Sequence, residues 1–174
     1  MTRKCFYSFH YEPDNWRASQ IREMGSLEGN RPATDNDWEE VKKGGDDAIA
    51  AWIKGQLDNR SCAVILAGKD TANRKWINFE ICEAWKKGMG VLVVYIHNLK
   101  DSAGEQARKG NNPLDHIKLG DTKLSAIAKA YDPPYLTSTN VYNHIKENLA
   151  EWVEEAIRIR ENYCCLLYTS PSPR

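Results

Sequence analysis

Two unbroken apolar runs with one charged helix between them constrain this chain more than any other feature. In SCAVILAGKDTANRKWINFEICEAWKKGMGVLVVYIH, from Ser61 to His97, the runs are Cys62 to Ala67 and Val91 to Ile96. Both are short, rich in Val, Ile and Leu, and bounded by Gly68 and Gly90, as strands buried on both faces should be. Between them Ile77, Ile81, Ala84 and Trp85 recur at helical spacing and form a face that can pack on a sheet. Asp70, Thr71 and Asn73 are candidate caps, and Lys86, Lys87 and Gly88 mark the helix end. Strand, helix, strand in this order predicts a parallel pair with its crossover. In open parallel sheets ligands bind beyond the carboxyl ends of the strands. Glu80, four residues after Trp76, falls close to that end.

The rest of the chain extends the pattern. Lys4 to Phe9 has strand composition, with Ser8 and His10 on one side by alternation and Phe9 on the other. Asp14 is placed to cap a helix running to about Met24, with Ile21 and Met24 facing inward. Gly25 to Thr34 is turn-rich and accommodates one short edge strand near Ala33. The acidic segment Asp35 to Lys43, containing Trp38, precedes a second helix whose apolar face is Ile49, Trp52, Ile53 and Leu57. From His97 to about Gly120 the periodicity lapses, and loops of that length in compact domains are more often functional than connecting. Ser125 to Tyr131 reads either as a last strand or as a helix. From Thr139 a long amphipathic helix shows Val141, Ile145, Leu149, Trp152, Val153 and Ala156 on one face. The expected architecture is α/β and flavodoxin-like, a central parallel sheet of about five strands with helices on both faces.

Composition narrows the function. The 174 residues are near the usual size of one domain and carry 24 basic against 24 acidic side chains. No general electrostatic pull toward nucleic acid or anionic membrane follows. No apolar run approaches the ~20 residues that span a bilayer, and no signal-peptide pattern opens the sequence. A cytoplasmic location is expected. Cys5, Cys62 and Cys82 read as buried thiols, and neither the five cysteines nor the scattered His10, His97, His116 and His144 have metal-site spacing. No metal is expected.

The final residues stand apart. Cys165 to Arg174, CLLYTSPSPR, looks like the conceptual translation of a transposase sequencing adapter. Residues 165–174 are therefore expected to be non-biological and residues 1–163 to form the domain. The plainer alternative is a Ser/Pro-rich tail.

The segments KCFYSFHYE, CAVILAGKDTANRKWINFEI and KGNNPLDHI resemble, in that order, the TIR-like domain of the Thoeris antiphage system, in the branch whose first strand carries FxSFHY. The resemblance covers roughly Arg3 to Leu119 and more weakly the rest to Tyr163. It implies a flavodoxin-like TIR fold. It also implies consumption of NAD after phage infection, with release of a cyclic ADP-ribose isomer that activates a separate effector, so that NAD is a substrate and no cofactor is needed. Self-association through TIR surfaces is a further implied partner. A different class of reading is a non-enzymatic TIR adaptor or nucleotide sensor acting by homotypic interaction. A receiver domain on the same fold is disfavoured, because the first strand ends in Ser8, Phe9 and His10 and lacks the paired acids that hold magnesium.

By resemblance, Glu80 of WINFE is the catalytic glutamate. The chemistry suits a carboxylate: breaking the nicotinamide to ribose bond builds oxocarbenium-like charge that a fixed anion stabilises. Cyclisation also requires the adenosine half to fold back, which stacking aromatics assist. Phe9, Tyr11, Trp38 and Trp76 are the stacking candidates, and Ser8, His10 and Asn112 the polar ones. Each has a plainer reading. By position alone Glu80 is a solvated helix residue or a partner of Lys75 or Arg74. Ser8 and His10 also suit a polar pair closing a strand end, Phe9 and Trp76 suit a core, and Asn112 before Pro113 suits a turn. No glycine-rich phosphate loop is present, so ADP-ribose recognition falls to helix beginnings and loop amides.

Overall fold

The computed structural model describes residues 2–29 and 40–169, with side chains as far as Tyr163. The expected edge strand near Ala33, Trp38 with most of its acidic segment, and the last residues of the tail lie outside the described residues. Three strands make the middle of the sheet: β1 (Cys5–Ser8), β2 (Cys62–Ala67) and β3 (Gly90–Tyr95), each buried at every position. β2 pairs in parallel with β1 on one side and β3 on the other. Its CAVILA sequence is what a central strand needs, since both faces meet helices. Each fully buried Val, Ile or Leu there contributes about 1.5–3 kcal/mol.

Helices cover the two faces. On one, α2 (Gly45–Leu57) and α3 (Lys75–Lys86) lay Ile49, Ile53, Leu57, Ile77, Ile81, Ala84 and Trp85 against Phe6, Ala63, Ile65, Ala67, Val91 and Val93. On the other, α1 (Tyr11–Glu23) and α4 (Ser138–Thr169) set Ala18, Ile21, Val141, Ile145, Leu149 and Val153 against Cys5, Tyr7, Val64, Leu66, Leu92 and Val94. The helical faces read from the sequence are the faces that pack.

The carboxyl-terminal half of the sheet is shorter than the sequence suggests. After β3 the chain makes a 3-10 turn at Pro113–His116, a hairpin of β4 (Lys118–Leu119) and β5 (Thr122–Lys123), and a second 3-10 turn at Leu124–Ala126. Only then does β6 (Ala130–Tyr131) join, pairing with β3 in parallel through Val93↔Ala130 and Val94↔Tyr131. The segment expected to be one strand or one helix is thus neither throughout. Its Ala-Lys-Ala centre offers too little apolar surface to extend the pairing.

At the opposite edge, Lys4 bridges Glu28 in parallel. Cys5 N donates to Glu28 O at 2.8 Å and Glu28 N to Arg3 O at 3.0 Å. The spatial order Glu28, β1, β2, β3, β6 follows the flavodoxin-like winding, and this sheet has four regular strands among the described residues. The chain moves outward from β1 and later inward to β2, so the winding reverses between those two strands. Their carboxyl ends therefore open the crevice where such folds bind ligands.

Two helix starts differ from expectation. α1 begins at Tyr11 behind His10, four residues earlier than a cap at Asp14 would put it. Pro13 lies in the first turn, where a missing N–H costs nothing, and Asp14 is turned inward. α3 begins behind Arg74, with no side-chain cap; Thr71 Oγ1 instead accepts from Gly68 N at 2.8 Å. Asn73 sits at φ 61, a left-handed position that asparagine tolerates.

Candidate active site

Alternation along β1 puts Phe6 and Ser8 on the face that α2 and α3 cover. Ser8, the last residue of the strand, is 1% exposed. α3 packs on that face through Ile77 and Ile81, which leaves Glu80, one residue before Ile81, at the helix edge nearest the strand end. There Ser8 Oγ donates to Glu80 Oε1 at 2.7 Å. Burial pushes the Glu80 carboxyl up to about 8, and the Ser8 bond works against that rise by favouring the charged form. The residue as a whole is half-buried. In its ionised form, which the Ser8 bond favours and burial opposes, this carboxyl can stabilise a developing cation.

His10 caps α1 just beyond β1. Its Nδ1 is buried and has no hydrogen-bond partner among the described residues. Burial lowers its pKa, and the nearby Arg74 charge lowers it further, while Asp14, Glu12 and Asp70 oppose. The charges acting on this imidazole thus come from the first turn of α1 and from the segment before α3.

Beneath it Asp14 is 1% exposed and Arg17 4%. Arg17 Nη1 donates to Asp14 Oδ1 at 3.0 Å. Burial raises the Asp14 carboxyl, opposed by the Arg17 bond and charge. Asp14 Oδ2 is left without a partner. Gly68, first residue after β2, lies against this carboxylate so closely that a Cβ there would stand 2.6 Å from Asp14 Cγ. Glycine is required at that position by contact, which joins the end of β2 to α1.

The remaining expected residues scatter. Phe9 packs with the opposite core, its ring 6.3 Å from that of Tyr11 and 5.3 Å from the Arg22 guanidinium. Tyr11 is exposed at the start of α1. Trp76 packs beside the core of the Glu80 face, edge-on to Phe79 at 5.5 Å and under the Lys75 ammonium at 4.9 Å. Asn112 caps the first 3-10 turn, its Oδ1 accepting from Leu114 N at 3.0 Å. The structure thus brings Ser8 and Glu80 together, sets His10 within the electrostatic reach of Asp14, Glu12, Asp70 and Arg74, and groups Asp14 with Arg17 and Gly68. Asp14 and Arg17 stand three residues apart on a helix, a spacing that signals pairing. Nothing in the sequence signals that the pair is buried.

Comparison with known proteins identifies the family. The family model for the Thoeris protein ThsB, TIR-like domain, matches residues 6–101, a span that includes Ser8, His10, Asp14, Gly68 and Glu80. A protein of Bacillus cereus (strain MSX-D12), named "Putative cyclic ADP-D-ribose synthase ThsB1", is 33% identical over 122 residues. The alignment covers 67% of this chain and 64% of that relative.

Proposed function

The chain belongs to the Thoeris ThsB TIR-like family, and from that premise we propose that it cleaves NAD and closes the ADP-ribose part into a cyclic signal for antiphage defence. The observation that carries this reading is the Ser8 to Glu80 hydrogen bond at the point where the sheet winding reverses. With the nicotinamide ribose over that pair, the bond from ribosyl C1 to the nicotinamide nitrogen breaks and its electron pair leaves on neutral nicotinamide. No strong general acid is needed. Glu80 as carboxylate steadies the ribosyl cation, and Ser8 fixes its orientation.

The name of the Bacillus cereus relative supports the cyclic product. NAD serves as substrate, no cofactor or metal takes part, and the product acts on a separate effector. The balanced charge of 24 basic and 24 acidic residues supports a partner that is neither nucleic acid nor membrane. Among the described residues no helix is long and apolar enough to cross a membrane. A cytoplasmic site of action fits both.

An adaptor working by homotypic contact is the second reading, favoured by Trp16 at 55% and Leu136 at 81% exposure. One assay separates them. NAD is incubated with the purified protein, alone and with extract of phage-infected cells, and the products are resolved by mass spectrometry. Nicotinamide with a cyclic ADP-ribose isomer supports the enzyme; intact NAD under both conditions contradicts it.

A further inference from the structure

The loop between β3 and the β4–β5 hairpin is held down at several points. Ala107 N donates to His97 O at 2.8 Å. Arg17 donates from Nε to Leu99 O at 2.7 Å and from Nη2 to Glu105 O at 2.9 Å. Lys109 pairs with Asp132 at 3.0 Å, and its ammonium lies 4.5 Å from the centre of the Tyr95 ring. The tightest seat is Gly110. A Cβ built on it would stand 2.6 Å from the carbonyl oxygen of Gly68 and closer still to that of Lys69. Any side chain at 110 would lift the loop off the carboxyl end of β2.

What the loop borders is as telling as what holds it. His97 is 7% exposed and its Nδ1 has no partner among the described residues; Asp14 Oδ2, against Gly68, has none either. Such atoms cost about 1–3 kcal/mol each, and a loop serving only to seal the sheet would satisfy them. Neighbouring strand ends are about 4.8 Å apart. A loop seated on the end of β2 therefore borders directly on the Ser8 and Glu80 site at the end of β1.

We propose that Gly110 is a positioning residue: by seating residues 97–112 on Gly68 and Lys69, it makes the loop a wall that turns the adenosine half back toward the ribosyl carbon. It thereby sets the fate of the cation. In either fate the C1 to nitrogen bond breaks with its pair on nicotinamide, C1 accepts a pair from a nucleophile, and one proton is released. A nucleophile in the adenosine half gives the cyclic product; water gives linear ADP-ribose. Intramolecular capture is sensitive to placement, a misplacement of ~1 Å costing on the order of 10²-fold. Capture by water is not. This inference rests on the NAD-cleaving reading above, and its test keeps the two apart.

The parent protein, Gly110→Ala, Gly110→Val and Lys109→Met are each incubated with NAD, and cyclic product, linear ADP-ribose and nicotinamide are quantified together. In Gly110→Val the ratio of cyclic to linear product should fall on the order of 10²-fold, with nicotinamide release falling far less. Gly110→Ala and Lys109→Met should shift the ratio in the same direction by less, and they carry the test if the valine variant does not fold. An unchanged ratio with NAD still consumed overturns the role of Gly110 alone. A parent that makes only linear product also overturns it. A parent that leaves NAD intact overturns the cleavage reading and this one with it.

Discussion

Ser8 and Glu80 are 72 residues apart in the chain and 2.7 Å apart in the fold, with Oγ donating to Oε1. The strand that ends in Ser8 and the helix that carries Glu80 belong to different crossovers, so only the parallel pairing of β1 with β2 brings them together.

Removing the hydroxyl has a signed effect on that carboxyl. Ser8 favours the charged form of Glu80 and burial disfavours it. In Ser8→Ala only burial remains, and the Glu80 pKa rises. A hydrogen bond to a charged group is worth about 1.5–3 kcal/mol, so the acidic limb of kcat/KM for nicotinamide release should move up by about one pH unit or more. A limb that stays in place, or moves down, contradicts the pairing as the source of the tuning.

The same carboxyl links stability to pH. Its folded value, about 8, lies above the ~4.3 of an unfolded glutamate, so the native state holds an extra proton between those limits. Stability is intact below about pH 4 and declines as the pH rises toward 8. Glu80→Gln escapes that decline. Its melting temperature should exceed the parent's by a few degrees at pH 8.5 and converge with it near pH 4. A constant difference across the range would remove Glu80 as the titrating group.

Arg17 and Asp14 form a buried pair whose halves should not be separable. Arg17→Met strands Asp14 and the carbonyls of Leu99 and Glu105. Breaking such a pair costs about 3–5 kcal/mol. Urea unfolding should show a loss of that size for Arg17→Met, and the double variant Asp14→Leu/Arg17→Met should lose less than the two single variants combined. Strict additivity would mean the pair does not act as a unit.

The legible part of this fold is the part whose pattern is local. CAVILA announces a strand buried on both faces, and Ile77, Ile81, Ala84 and Trp85 a helix that packs on it; both occur where the sequence puts them. The resemblance picks out Glu80, and alternation separates Ser8 from Phe9, as the two opposing cores confirm. Asp14 reads as a cap in the sequence because a carboxylate near a helix start looks the same whether it meets solvent or a buried arginine. Gly110 and Gly68 carry no local signal, since what crowds them is distant in sequence: the backbone of Gly68 and Lys69 for Gly110, and the Asp14 side chain for Gly68. Asn112 reads both as a turn residue and as a pocket residue, and its Oδ1 accepts from Leu114 N in the turn.

The boundary of the domain is testable by shortening. Arg160 donates to Trp85 O at 2.9 Å, and Tyr163 meets the Trp85 ring edge-on at 5.5 Å. Removing residues 164–174 should leave the melting temperature within about one degree. Ending the chain at Ile159 removes both contacts and should lower it by several degrees, at about 2–4 °C per kcal/mol for a domain of this size. A large loss from the first truncation would contradict a domain that closes at Tyr163.

The most direct test of the account is single-turnover nicotinamide release by the parent and by Glu80→Gln, a near-isosteric change that removes only the charge, with NAD affinity measured alongside. Loss of the stabilising anion should slow the chemical step on the order of 10²–10³-fold while NAD still binds. A glutamine variant that releases nicotinamide within about tenfold of the parent rate would contradict a mechanism built on Glu80.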